Sequence, residues 1–274
     1  MEHAWLGPPI DARPLFRPEH AALYATLRDL TPAEWGREVV PGWSVHDLAA
    51  HLLGDYLGRI PGRRERRAPA PDEPLEAFIH RINQEWVDSH RQRGSVALVE
   101  AIDQAAPEVA DHFETRDPFR PALGVSWAGA VPAPGWLDAA REFTEYWAHR
   151  QQIRHVIGQR TDPQPRPFSV VLDTFMRALP HTLRDVVAPA GTQLRLSATG
   201  PAGSTWTVTA VGRGRWSLAE PPVAEPDTIV TIDPETAWRL CVRSVEPDTA
   251  LARARVDGDH DLAAAALRIV SIVY

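Results

Sequence analysis

The stretch "PGWSVHDLAAHLLGDYLGRI", residues 41–60, has the pattern of a helix that packs against a core. Its apolar side chains recur at three- and four-residue intervals from Val45 to Tyr56, which is the period of an amphipathic helix. Ser44 precedes the run as a candidate N-cap, and Asp47 lies in the first turn, where a carboxylate complements the helix dipole. His51 interrupts the apolar stripe. It is therefore either a hydrogen-bonded core residue or the ligand of something held inside the fold.

Helical periodicity continues on both sides of this segment. It predicts further helices over residues 15–30, 75–94, 96–113 and 137–157, separated by loops rich in proline and glycine. Long helices joined by such loops are typical of a helix bundle. We therefore predict a four-helix bundle over residues 1–160.

The pattern changes after the proline-rich segment at residues 158–168. A helix is predicted at about 169–187, followed by period-two alternation in "TQLRLSATG" and "STWTVTAVG", as in an antiparallel hairpin. Further strands are predicted in "RWSLAE" and "DTIVTID", and helices in "PETAWRLCVRS" and in "DHDLAAAALRIVSIVY", the last one capped by Asp259. Residues 168–274 are therefore predicted to form a small α+β domain.

Composition limits the classes of function. The chain has 274 residues and a formal net charge of -7, whereas a general nucleic-acid binder carries a basic excess. A single cysteine, Cys241, excludes an internal disulfide and a cysteine-based zinc site, and fits a reducing compartment. The first residues lack the basic and apolar regions of a signal peptide, and no apolar run is long enough to span a membrane. These features predict a cytoplasmic protein with no nucleic-acid or membrane partner.

A second candidate for chemistry lies in "LDAAREFTEYWAHRQQIRHVIG", residues 137–158. Glu145 and His149 are four residues apart, so a helix places both side chains on one face. Together with His51 from another helix, they would supply two imidazoles and one carboxylate, a set that leaves room for water or substrate on a cation. By spacing alone, His51 with Asp47 or Asp55, Glu145 with the nearby Glu142, and a surface Glu–His pair are equally allowed.

Several motifs resemble one known family in the same order along the chain. "PGWSVHDLAAHLLGD", "VSWAG", "GWLDAAREFTEYWAHRQQIRHVIG" and "VTIDPETAWRLCVRS" with "ARVDGDHDLAAAAL" are similar to the mycothiol-dependent maleylpyruvate isomerases. The resemblance implies a DinB-like metal-binding bundle followed by an SCP2-like domain. It also implies that His51, Glu145 and His149 are the metal ligands, with Trp43 eight residues before His51 as part of the motif.

The resemblance further implies a mechanism. A divalent cation would activate mycothiol or a similar small thiol as co-substrate. The nitrogen and oxygen ligands favour zinc as this cation. The thiolate would isomerise a maleylpyruvate-like acid or be transferred to an electrophile. In the C-terminal domain, Arg243 is the residue that matches a substrate-binding arginine of the family. In the isomerases an aspartate follows the second histidine by three residues, whereas this chain has Gln152, which leaves the substrate open.

Other residues could serve the same site. Arg59, Arg150 and Arg154 could bind carboxylates of the thiol or substrate, because a guanidinium grips a carboxylate at two points. Asp55, one turn after His51, could orient the imidazole or act as a base. The alternative is a relative that does not use a thiol or does not catalyse, whose C-terminal domain binds an apolar ligand or a partner. A monomer or a homodimer is expected.

Overall fold

The computed structural model describes residues 3–65 and 67–271. Its contacts divide the chain into two compact units. The helical unit comprises Arg13–Arg116 and Glu145–Asp162, and the mixed unit comprises Met1–Ala12, Asp117–Thr144 and Pro163–Val273. The predicted domain limits, 1–160 and 168–274, stay a prediction, although the border after Asp162 falls between them. Over the described ranges, every helix is too short or too polar to traverse a lipid bilayer.

The helical unit contains four long helices and the C-terminal part of a fifth, in addition to short elements, within its described residues. The elements are α1 (Phe16–Arg28), α2 (Pro32–Trp35), β1 (Glu38–Val40), β2 (Trp43–Ser44), α3 (Val45–Arg59), α4 (Leu75–His90), α5 (Ser95–Glu114) and α6 (Gly135–Val156), of which α6 begins in the mixed unit. Helix α3 contacts both α4 and α5, and α1 packs on α5.

Helix α3 starts as its sequence predicts. The Ser44 hydroxyl accepts a hydrogen bond from the Asp47 amide, and the Asp47 carboxylate accepts one from the Ser44 amide, forming a capping box. The strand pair β1–β2 leads directly into this cap. Because Leu48, Leu52 and other residues on the inner face are fully buried, α3 is fixed at the centre of the unit and sets the position of His51.

The mixed unit is built on a five-stranded sheet within the described residues. Its strands are β5 (Gln193–Ala198), β6 (Thr205–Gly212), β7 (Arg215–Ser217), β8 (Thr228–Ile232) and β9 (Arg255–Gly258), in the order β7-β6-β5-β8-β9. The β5–β8 pair is parallel and the other pairs are antiparallel. Its remaining elements are β3 (Pro121–Ala122), β4 (Ala133–Pro134), α7 (Pro165–Met176), α8 (Leu179–Thr182), α9 (Pro234–Cys241), α10 (Pro247–Arg253) and α11 (His260–Ala266).

The predicted fold class is confirmed: a helix-rich chain with a separate part that contains a sheet. The helix predicted over 169–187 is instead two helices, α7 and α8, because the chain breaks at Arg177 and Pro180 restarts it. Helix α10 and strand β9 have no counterpart in the sequence prediction. Asp259 caps α11 as predicted, but this helix ends at Ala266, and the last three residues of its predicted range lie outside the described residues.

Candidate metal centre

His51 lies on the inner face of α3, and only 8% of its surface is exposed. Its Nε2 atom lies 3.2 Å from the Asp55 carboxylate, one helical turn further on, and its ring is 5.2 Å from the Trp43 ring. Burial and the positive charges of His149 and Arg64 hold the pKa of His51 well below its usual value. The imidazole is therefore neutral at pH 7, with its proton on Nε2 facing Asp55.

The other ring nitrogen of His51 lacks a partner. Within residues 3–65 and 67–271, no group forms a hydrogen bond with the buried Nδ1 atom. A buried polar atom without a partner costs about 1–3 kcal/mol, so such atoms are rare in folded proteins. The bare lone pair on Nδ1 is free to bind a ligand.

His149 is held by two neighbours on α6. Its Nδ1 atom lies 2.7 Å from the Gln152 side-chain oxygen, and its Nε2 atom lies 3.5 Å from the Glu145 carboxylate. Burial opposes protonation of His149, but the hydrogen bond and charge of Glu145, helped by Gln152, raise its pKa above the usual value. Since the Gln152 oxygen only accepts, Nδ1 carries a hydrogen, and Nε2, which faces Glu145, is the nitrogen that a ligand would bind after losing its proton.

The two pairs meet in the interior of the helical unit. The rings of His51 and His149 are 5.1 Å apart between centroids and edge-to-face, and the charge of Asp55 also acts on His149. We call His51, Asp55, Glu145 and His149 the histidine–carboxylate cluster. Among the described residues, no three His, Cys, Asp or Glu side chains converge closely enough to hold a metal ion as they stand. The donor types nevertheless fit a divalent cation, because a bare imidazole nitrogen, a second imidazole and a carboxylate are the ligands that zinc prefers.

Comparison with known proteins identifies the family of this chain. A family model described as the mycothiol maleylpyruvate isomerase N-terminal domain matches residues 16–154, just over half of the chain. The chain belongs to this family. All four residues of the histidine–carboxylate cluster lie inside the matched range, so the resemblance seen in the sequence motifs is confirmed.

Solved structures of a mycothiol-dependent maleylpyruvate isomerase have a similar fold to this chain. The crystal structure of the mycothiol-dependent maleylpyruvate isomerase is similar, with a TM-score of 0.50 and 14% sequence identity, over 84% of this chain and 87% of that chain. The structure of a variant of that isomerase with a histidine replaced by alanine matches with the same values. At this identity the likeness concerns the fold. No curated protein matches the chain.

Two of the arginines predicted to bind carboxylates are enclosed by the protein. The Arg150 guanidinium is buried and donates to both carboxylate oxygens of Glu19, at 2.5 and 2.9 Å, and to Asp162 at 3.0 Å. Arg59 is buried as well and lies over the ring of Phe113, 5.5 Å from its centroid. Both guanidiniums therefore have partners within the helical unit.

The other two predicted arginines are less enclosed. Arg154 donates to the Arg160 carbonyl at 3.1 Å and lines a surface pocket with Thr26 and Glu34. Arg243 belongs to the mixed unit, where it is exposed after α9 with a left-handed backbone, φ 56°. The roles given to Arg59, Arg150, Arg154 and Arg243 stay predictions.

Two features of the site were not predicted. Gln152, noted only as a departure from the isomerases, accepts the Nδ1 hydrogen of His149 and so does what an aspartate there could do, without its charge. Arg64, in the loop between α3 and α4, is half-buried against Trp86. The signal in the sequence was Gly54, an isolated glycine inside the α3 pattern, which marks a close approach by another group.

Cys241 has the structural role that its position in an apolar helix predicts. It is fully buried at the end of α9, and burial raises the pKa of its thiol to about 12. A thiol with this pKa is almost wholly protonated at pH 7 and is a poor nucleophile. Any thiol chemistry therefore needs a thiol from outside the chain.

Proposed function

We propose that this chain is a mycothiol-dependent isomerase of a maleylpyruvate-like unsaturated acid, with a divalent cation held by His51, Glu145 and His149. The observation that carries the proposal is the unpartnered Nδ1 atom of His51 in a cluster of two buried imidazoles and two partly exposed carboxylates. Family membership makes a small thiol the natural co-substrate. Cys241, the single cysteine, is buried and unreactive, which is consistent with an external thiol and with a reducing, cytoplasmic location.

When bound, the cation lowers the pKa of a thiol, whose addition to and departure from a conjugated double bond lets that bond rotate. The chain supplies the positioning. Asp55 accepts the Nε2 hydrogen of His51 and so leaves a lone pair on Nδ1. Gln152 accepts the Nδ1 hydrogen of His149 and so leaves Nε2 as its metal-binding nitrogen. Burial of both imidazoles excludes water that would compete for the cation.

Transfer of the thiol to an electrophile is the second candidate. Gln152 keeps this candidate open, because the isomerases resembled by the sequence have an aspartate at the corresponding position, so the substrate can differ. The two reactions differ in what happens to the thiol. An isomerase returns it after each turnover, whereas a transferase consumes one thiol per product.

The test is metal analysis by mass spectrometry on untagged protein, combined with a turnover assay. We expect about one zinc or similar ion per chain in the wild type, and a loss of affinity beyond the roughly 10–100-fold typical of supporting residues in Glu145→Gln and His51→Ala. His46→Ala is the matched control, because His46 lies on α3 beside the chain segment at Arg93, to whose carbonyl it is hydrogen-bonded. Equal metal content in Glu145→Gln and the wild type would overturn the metal site.

The turnover assay uses maleylpyruvate and mycothiol. Formation of the trans acid with the thiol unchanged supports the isomerase, and loss of thiol with an equal amount of adduct supports the transferase. Turnover of the same rate without thiol would contradict both and favour the non-thiol relative.

A further inference from the structure

We infer that a pocket between helix α4 and the loop that follows α3 binds the carboxylate of a small organic acid through Arg64. The inference rests on the proposed function for its role in catalysis, but not for the binding itself. The pocket lies within the helical unit, has a volume of about 300 Å³ and is lined by Arg64, Ile82, Trp86 and Ser89, among others.

Arg64 differs from the neighbouring arginines in its partners. Arg67 is paired with Glu85, and Arg81 with Glu73 and Glu85. Arg64 instead lies 4.6 Å from the centroid of the Trp86 ring and donates one long hydrogen bond, 3.4 Å, to the Ile82 carbonyl. In the part of the chain that the structure describes, no carboxylate lies within 4.0 Å of its guanidinium.

This arrangement leaves hydrogen-bonding capacity unused. A guanidinium stacked on an aromatic face keeps the donors along its edges free, and these match a carboxylate at two points. Burial lowers the pKa of Arg64 from its usual value, yet the group stays charged. Because this half-buried cation has no ion pair within 4.0 Å among the described residues, an anionic ligand here would gain a charge-assisted pair with it.

Gly54 makes the pocket possible. A Cβ atom at this position would lie 2.7 Å from Trp86 Nε1 and 3.0 Å from Arg64 Nη1. The indole could then not reach the Ala50 carbonyl, to which its Nε1 now donates at 2.8 Å. Glycine inside a helix costs roughly 1 kcal/mol relative to alanine. Here it brings Arg64 against α3, next to Asp55.

The neighbouring charges indicate which anion fits. Arg64 is close enough for its charge to act on His51, and Asp55 acts on Arg64 in turn. Glu65 and Glu85 also line the pocket, so phosphate, which concentrates its charge on one group, would be repelled more than maleate, whose two charges lie on separate carboxylates. The volume is at the lower end for ligand sites, which suits an acid of a few carbon atoms. An acid bound there would place its carboxylate at the Arg64 guanidinium, close to Gly54 on α3.

The probe is maleate, titrated by calorimetry into metal-free and zinc-loaded protein. We expect Arg64→Gln to weaken binding about tenfold or more, because a charge-assisted pair contributes about 1.5–3 kcal/mol. Arg64→Lys should be intermediate, since it keeps the charge and loses the planar fork. Arg67→Gln, which removes the paired arginine of the same pocket, is the matched control and should change affinity by less than about threefold.

The outcomes separate this inference from the proposed function. Loss of maleate binding in Arg64→Gln supports the inference even if the protein holds no metal and shows no thiol-dependent turnover. Unchanged binding in that variant, no binding to the wild type, or tighter binding of inorganic phosphate than of maleate would overturn it. Melting curves followed by circular dichroism check that each variant is folded, which is expected because Arg64 lies in a loop outside the helices.

Discussion

Two buried polar clusters lie along the same stretch of α6 and differ in how fully their groups are paired. In the arginine–carboxylate cluster, three nitrogens of Arg150 bond to Glu19 and Asp162. In the histidine–carboxylate cluster, contacts of 3.2 and 3.5 Å join each histidine to one carboxylate, and His51 Nδ1 has no partner among the described residues. His149 and Arg150 are adjacent in sequence, yet one belongs to the cluster with a bare nitrogen and the other to the cluster in which a guanidinium is held at three points.

This difference in pairing separates polar groups that stabilise the fold from polar groups that can bind a ligand. A saturated ion pair has no capacity left for a ligand, and breaking it exposes an uncompensated charge to a nonpolar interior. In a cluster with a bare nitrogen and long contacts, replacing one member costs little folding stability. Such a cluster can instead bind a cation. The arginine–carboxylate cluster should therefore control folding stability, and the histidine–carboxylate cluster should control ligand binding.

The largest effect is expected from Arg150→Met. This change leaves the Glu19 carboxyl buried without its partner and should lower the free energy of unfolding of the helical unit by about 3–5 kcal/mol. The measurement is urea denaturation followed by far-ultraviolet circular dichroism. Metal content per folded chain should stay unchanged.

Arg154→Met is the control for this experiment, because Arg154 is four residues further along α6 and, among the described residues, its hydrogen bond goes to a backbone carbonyl. It should cost less than about 1 kcal/mol, as for other partly exposed charges. Equal destabilisation by the two variants would contradict the distinction between the clusters, as would loss of metal in Arg150→Met.

A smaller effect is expected from Gln152→Leu, which removes the acceptor for His149 Nδ1. Without it the imidazole loses its fixed orientation, and zinc affinity should fall about 10–100-fold, as for other residues that orient metal-binding histidines. Competition with a coloured chelator measures the affinity. Gln152→Glu keeps an acceptor and should bind zinc at least as tightly as the wild type. If leucine and glutamate behave alike, Gln152 does not orient His149.

The sequence predicts the two clusters to different degrees, for a physical reason. Glu145 and His149 are separated by one helical turn, so periodicity alone places them together, and the same holds for His51 and Asp55. Glu19 and Arg150 are 131 residues apart. Their pairing depends on how α1 packs against α6, which local spacing does not determine. This is why the sequence alone does not show Arg150 as the partner of Glu19.

The same limit explains what was missed elsewhere. Arg64 lies in a charged, proline-rich loop, and nothing local shows that it stacks on Trp86, 22 residues away in the next helix. Strand β9 reads "RVDG", with a single apolar side chain, so it shows no alternation and forms only because β8 offers a free edge. Contacts between distant segments decide both cases, whereas helix caps depend on neighbours in sequence.

The smallest effect is expected from Ser44→Ala, at the cap of the helix that carries His51. The change removes the hydroxyl that accepts from the Asp47 amide and should cost about 1 kcal/mol of stability. Thr31→Ala, which removes the corresponding cap of the four-residue helix α2, should cost less, because α2 has no buried residues to hold in place. Since seven residues separate Ser44 from His51 along a well-packed helix, Ser44→Ala should leave zinc affinity within about threefold of wild type, as for distant and independent sites. A larger loss of zinc affinity would show that the start of α3 positions His51, and that packing of the inner face is not sufficient to do so.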